Sequence, residues 1–169
     1  MVGPQDYIHT RVLLGCFEDF RTIIAKGLAN LKPGGWMESQ EYYPTVYCDD
    51  GTMPPEYPFA EWTRAWDSAA MHLGKPLRIG NKLKKWYEQA GFVDVHEEIF
   101  RIPINAWAKD PWFKLLGKFS ERNLHDGLQA FSLQLFTQGL GWKPAEIEVY
   151  LARVRAALAD RSVHGYHKV

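Results

Sequence analysis

The chain has 169 residues, 46% of them hydrophobic and 24% charged, with 20 basic residues balancing 20 acidic ones. That is enough apolar material for one folded domain with its own core, and it excludes a disordered chain. A net charge of zero without any Lys/Arg stripe excludes the electrostatic footprint of a nucleic-acid binder, and no apolar run approaches the roughly 20 residues that span a bilayer.

Taken in order, Asp6 to Val12 carries β-prone residues after Pro4 and reads as a short strand. Phe20, Ile23, Ile24, Leu28 and Leu31 recur at helical spacing, and Lys32-Pro33-Gly34-Gly35 stops that helix because proline cannot continue it. Trp36 to Glu41 reads as a second strand, so the N-terminal region is the strand–helix–strand unit of a parallel sheet. Tyr42 to Pro58 holds four prolines and several aromatics, and is expected to cross the sheet without regular structure. Phe59, Trp62, Trp66, Ala69, Ala70 and Leu73 mark an amphipathic helix ending at Gly74. Ile79 to Ala90 is a further helix capped by Gly91, and Phe92 to Ile102 is a strand broken by Pro103. Pro111 to Leu124 and Leu128 to Gln138 read as two helices, Pro144 opens a last one, and His164 to Val169 has strand character.

Several of these segments together carry a resemblance. Asp6-Tyr7-Ile8-His9-Thr10-Arg11, Leu31-Lys32-Pro33-Gly34-Gly35-Trp36, Glu38-Ser39-Gln40-Glu41, Cys48-Asp49-Asp50-Gly51-Thr52, Ala90-Gly91-Phe92-Val93-Asp94-Val95 and His164-Gly165-Tyr166 resemble, in this order, the LaeA-like fungal S-adenosylmethionine-dependent methyltransferases of class I. The resemblance implies an α/β fold, a truncated Rossmann-like class I methyltransferase fold with a partial sheet, crossover helices and a helical acceptor-site lid. One domain is expected over 1–169, with 1–41 and 79–102 as sheet core, 42–78 and 103–160 as lid helices and 163–169 as last strand. In that family a Gly-x-Gly loop after the first strand approaches the cofactor and an acidic residue ending the second strand holds its ribose. The alignment of motifs starts this chain at the family's fourth strand, upstream of which both would lie, and ends it within the last strand. Gly139-Leu140-Gly141 is flanked by helices and reads as a helix break. The chain is therefore either a methyltransferase fragment or a naturally shortened protein, and Met1 just before a strand favours the second. No cofactor is expected to bind unless a missing N-terminal half supplies the S-adenosylmethionine site.

His9 and Arg11 close the first strand, where ligands gather in open parallel sheets. Arg11 can bind a carboxylate or carbonyl, or pair with Glu38 or Glu41. Glu41 can act as general acid or base in an apolar pocket or remain a solvated carboxylate, and Tyr43 can offer a phenol donor. These four are the candidate catalytic residues. Tyr42, Tyr47, Trp62, Trp66, Trp107 and Phe131 are the candidate walls of an apolar small-molecule site, with core packing as the alternative for each. Cys16, Cys48 and the six His fall at no metal-ligand spacing, so no metal is expected and the thiols read as those of a cytoplasmic protein. The expectation for function is a cofactor-independent enzyme of fungal secondary metabolism promoting a cyclisation, isomerisation or pericyclic (Diels–Alder-type) step. The alternatives are the C-terminal part of a small-molecule methyltransferase and a non-catalytic binding module. A hydrophobic small-molecule substrate, no nucleic acid, no membrane and a homodimer, or a rearranged sheet, built over Asp6 to Val12 complete the expectation.

Overall fold

The computed structural model describes residues 3–169. Strand β1 (Gln5–Arg11), helix α1 (Arg21–Ala29) and strand β2 (Leu31–Gln40) form the strand–helix–strand unit read from the sequence. β1 and β2 pair in parallel from Tyr7↔Trp36 to Arg11↔Gln40. The Lys-Pro-Gly-Gly segment does not precede β2 but lies inside it: Gln5 pairs with Leu31 and Tyr7 with Trp36, so the chain bulges out between them. α1 ends two residues earlier than its apolar spacing suggested, because Leu31 is already committed to the sheet. α1 and α3 (Leu83–Ala90) cover one face of this pair. A small core of Leu14, Phe20, Ile24, Ala70, Leu77, Ile79, Leu83 and Tyr87 lies beneath them. Gly91 ends α3 at φ 103, a left-handed position that glycine adopts without a Cβ clash.

The second sheet is antiparallel, in the order β3–β5–β4, from Tyr43–Tyr47, Tyr166–Lys168 and Arg101–Pro103. The region expected to lack regular structure thus contains β3, with Pro44 tolerated on a strand of only five residues. The strand expected from Phe92 to Ile102 is reduced to Arg101–Pro103. Val93 and Asp94 form a bend, with Asp94 at φ 52, and Val95 to Ile99 has no regular structure; among the described residues the segment makes no backbone–backbone hydrogen bond. An alternating sequence makes a strand only where a neighbouring strand accepts it.

Helices α2 (Pro58–His72), α4 (Pro111–Leu140) and α5 (Pro144–Ala159) build the larger core. Phe59, Trp62, Leu124, Leu128, Phe136, Ile147, Leu151, Val154 and Leu158 are buried there, each worth about 1.5 to 3 kcal/mol of apolar burial. The segments expected as lid helices therefore pack chiefly on one another. α4 is one helix of 30 residues where two were expected. Gly127, at the expected break, costs about 1 kcal/mol against alanine, but it seats the Phe131 ring, which a β-carbon there would meet at 2.4 Å. Arg122 and Asp126 also pair one turn apart immediately before Gly127.

Gly117 marks the closest approach of α4 to the rest of the chain: a β-carbon there would lie 2.0 Å from the carbonyl oxygen of Asn105. Asn105 cannot retreat. Its Nδ2 donates to the carbonyls of Leu158 (2.8 Å) and Asp160 (3.0 Å), and its Oδ1 accepts from the Trp107 amide (3.1 Å). Gly117→Val is expected to cost about 3 kcal/mol or more and lower the melting temperature by roughly 6 to 12 °C. Lys118→Ala, beside it on the exposed surface, is expected to melt within about 1 °C of wild type.

Candidate functional site

Two features stand out on the β1–β2 sheet: its uncovered face and the groove beside it. Along β2 the alternation is regular, with Met37 and Ser39 turned toward α1 and α3 and Trp36, Glu38 and Gln40 exposed. Tyr7, His9 and Arg11 of β1 are exposed too. Tyr7 is 52% and Trp36 62% exposed, and they are register partners, so two large rings stand side by side on an uncovered sheet face. The outer edge of β1 also has no partner strand among the described residues. Glu38 sits amid this face. It accepts from the Tyr7 hydroxyl and from Gln40 Nε2 (2.6 Å), and the Tyr7 hydrogen bond above all holds its carboxyl below the usual range. His9 stacks on Tyr7 with ring centroids 6.3 Å apart. Among the described residues Arg11 makes no ion pair, so the alternative pairing with Glu38 or Glu41 is not what holds it.

Glu41 points away from that face and is 5% exposed. Its carboxylate accepts from the Leu13 amide (2.9 and 3.1 Å) and the Leu14 amide (3.1 Å). Those bonds pin the turn after β1, where Val12 adopts φ 51. A β-branched residue in the left-handed region costs about 1 to 3 kcal/mol and persists only where its surroundings enforce it. Burial pushes the Glu41 carboxyl up, opposed by the two amides. An acid so occupied acts first as an anchor.

The groove, of about 1080 Å³, lies between β2 on one side and Val93 to Ile99 on the other, with Leu83 and Tyr87 of α3 as floor and Tyr43, Tyr47 and Lys168 at one end. Tyr43 and Tyr47 stack at 6.5 Å, and the Lys168 ammonium lies 4.3 Å from the Tyr47 ring centre. Ser39 links the groove floor to β1, its hydroxyl lying 2.5 Å from the Tyr87 hydroxyl and 2.7 Å from that of Thr10.

The remaining expected pocket residues lie elsewhere. Trp62 is 1% exposed, sandwiched between Phe59 and Trp66, and donates Nε1 to Ser132 Oγ at 2.8 Å. Trp66 bridges it to Phe131, with a buried Nε1 that has no partner among the described residues. Tyr42 packs on His167 at 4.6 Å, and among the described residues its buried hydroxyl also lacks a partner. Trp107 stacks on His164 and donates Nε1 to the Gly165 carbonyl. The Cys48–Thr52 segment clasps β5 and its surroundings: Asp50 holds His164 just before β5, and Asp49 holds Tyr166 of β5 and Arg101 of β4. Of the ten candidate residues, Glu41, Tyr43 and Tyr47 share the groove, while His9 and Arg11 share the open face. Tyr7, Trp36 and Glu38 were not singled out as site residues, although the period-two alternation of β2 already placed Trp36 and Glu38 on one side.

No protein-family model matches the chain. Methyltransferase pytC of Aspergillus terreus is 35% identical to it over 161 residues, covering 95% of this chain and 50% of the relative. Probable methyltransferase tdiE of Emericella nidulans is 31% identical over 164 residues, 97% of this chain and 51% of the relative. Over the half of their length that it matches, the chain is similar to the LaeA-like fungal methyltransferases. Secondary metabolism regulator LAE1 of Cochliobolus heterostrophus matches 97% of it at 30% identity, with 54% of that protein covered. The chain thus spans about half the length of the curated relatives it matches. Its fold is α/β and methyltransferase-like, and among the described residues no helix is long and apolar enough to cross a membrane.

Proposed function

We propose that this LaeA-like chain forms the acceptor side of a truncated, Rossmann-like methyltransferase fold, acting on apolar small molecules of fungal secondary metabolism. Its site is complete only when further polypeptide covers the β1–β2 surface. The observation that carries this reading is that open surface: His9 and Arg11 stand exposed at the end of β1, beside the uncovered Tyr7–Trp36 pair and an unpaired strand edge.

The residues present do not fit S-adenosylmethionine by themselves. Of the glycine pair within β2, Gly35 is packed from within, where a β-carbon would meet the carbonyl oxygens of Lys32 and Asp6 at 3.0 and 3.1 Å, while Gly34 is open and supplies the left-handed turn of the bulge at φ 80. Glu41, a carboxylate close to a strand end, already serves the Leu13 and Leu14 amides. Methyl transfer is therefore assigned to the completed assembly. Within it, Arg11 and His9 would orient the acceptor, and the aromatic face would exclude water.

Without such a cover, two copies of the chain pair over this surface as a homodimer. Sedimentation is expected to show a dimer that Trp36→Asp weakens on the order of tenfold or more, since an unpaired charge would enter the interface. Melting of the dilute monomer should be unchanged, because Trp36 is outside both cores. A stable wild-type monomer would count against this part.

A second reading keeps the groove as the site of a cofactor-independent cyclisation, isomerisation or pericyclic step. It is favoured by the convergence of Tyr43, Tyr47 and Glu41 on a cavity large enough for a polyketide-sized molecule. Transfer of labelled methyl groups to apolar phenols separates the two. Product is expected when this chain is combined with the first half of the pytC methyltransferase, and not with either alone. Conversion of an apolar substrate by the chain alone, without S-adenosylmethionine, would overturn the first reading in favour of the second.

A further inference from the structure

Helix α4 carries a face that none of the described residues covers. Trp112, Leu115 and Phe119 follow one another at steps of three and four residues, which places them on one line along the helix. They are 64%, 44% and 68% exposed, and Phe113 beside Trp112 is exposed as well. Gly117 stands on the opposite side, close against Asn105, so the line points outward and its direction is fixed. α4 packs on α2, α5 and β4 through its other faces. Leu124, Leu128 and Phe136, further along the same helix, are buried there.

The charges around this line are of one sign. Lys114, Lys118 and Arg122 follow at steps of four and form the ridge next to it, and Lys109 stands just before the helix. All four are exposed. Among the described residues Lys109, Lys114 and Lys118 make no ion pair, while Arg122 pairs with Asp126. Asp110, the one acid between Lys109 and Ser120, is occupied by the amides of Trp112 and Phe113 at 2.9 and 3.0 Å. A chain of zero net charge thus gathers free cations beside an exposed aromatic stripe.

Rings that stand out from a helix, with ammonium groups at their flank, fit a soft anionic surface better than a folded partner. A peptide docks into a groove whose walls surround it, and a convex helix face offers no walls. At a bilayer interface, aromatic and leucine side chains sink toward the acyl chains while flanking Lys groups stay level with the headgroups. The expectation of no membrane contact rests on net charge and on the lack of a spanning run, both properties of the whole chain. No described helix is long and apolar enough to cross a membrane, but a helix that lies on the surface need not be. We infer that the first half of α4 docks on an anionic lipid surface, with Trp112, Leu115 and Phe119 inserted and Lys114 and Lys118 at the phosphate level. This docking is independent of methyl transfer and of pairing over the β1–β2 surface.

The test is flotation of the full chain with phosphatidylcholine vesicles, with and without phosphatidylserine. The chain is expected to float with the phosphatidylserine vesicles, and on the order of tenfold less with phosphatidylcholine alone. Phe119→Asp is expected to cut binding on the order of tenfold or more, and the double variant Lys114→Gln/Lys118→Gln to cut it only where phosphatidylserine is present. Both should melt as wild type, because the substituted side chains lie outside the two cores. Val149→Asp, at a 71% exposed apolar residue of α5, is expected to float as wild type. Absence of flotation, equal flotation with both vesicles, wild-type flotation of Phe119→Asp, or an equal loss with Val149→Asp would overturn the inference. So would a lipid-free oligomer that Phe119→Asp dissociates, which would make a second copy the cover.

Discussion

Between pH 6.5 and 4 the chain is expected to lose about 3 kcal/mol of stability through one side chain, His167. The ring is fully buried. Its Nδ1 donates to the Thr45 carbonyl at 3.0 Å, and among the described residues its Nε2 has no partner. Tyr42 and Phe59 pack against it at 4.6 and 5.5 Å, so protonation would place a charge among rings. Burial pushes its pKa down from 6.5 to about 4, with the Thr45 bond opposing. A base depressed in the folded state binds protons first when unfolded. Stability is therefore at its plateau above pH 6.5, falls as the pH drops toward 4, and levels off below that, the difference of about 2.5 pH units amounting to about 3 kcal/mol. Urea unfolding across this range measures it. His167→Phe keeps a ring of similar size and is expected to flatten the slope. If the variant retains the wild-type slope, the loss belongs to other groups.

Glu41→Ala is the second large effect, expected at about 2 to 4 kcal/mol. It leaves the Leu13 and Leu14 amides without their acceptor and releases the turn that holds Val12 at φ 51. The result discriminates between the roles considered for this acid. An anchor predicts that Glu41→Ala lowers stability and that Val12→Gly, which removes the β-branched strain, recovers part of the loss. A purely catalytic acid predicts normal stability for Glu41→Ala, and Val12→Gly would then rescue nothing.

The strand–helix–strand start and α2 were legible because their signals are local. Pro58 opens α2 at the first helical position, and Phe59, Trp62 and Trp66 follow at helical spacing. The strand expected over Phe92 to Ile102 failed for a non-local reason, since alternation does not reveal whether a neighbouring strand exists. α4 was expected as two helices, Pro111 to Leu124 and Leu128 to Gln138; Gly127 lies between those ranges, and the Phe131 ring that packs against it is visible only in three dimensions. The site divides in the same way. His9 and Arg11 could be placed from strand position alone. Trp62 and Trp66 could not be assigned to pocket or core from spacing, because a buried stack and a pocket wall share one pattern. Glu41 was singled out, but its amide partners lie 27 and 28 residues away in sequence, which no local motif encodes.

The central claim is that this chain provides the acceptor side of a methyltransferase-like site and not the cofactor side. Titration calorimetry of S-adenosylmethionine into the isolated chain tests it most directly. The prediction is no saturable heat with the chain alone. Saturable binding in the micromolar range, abolished by substitutions on the β1–β2 face, would contradict the claim and place a complete cofactor site within these 169 residues.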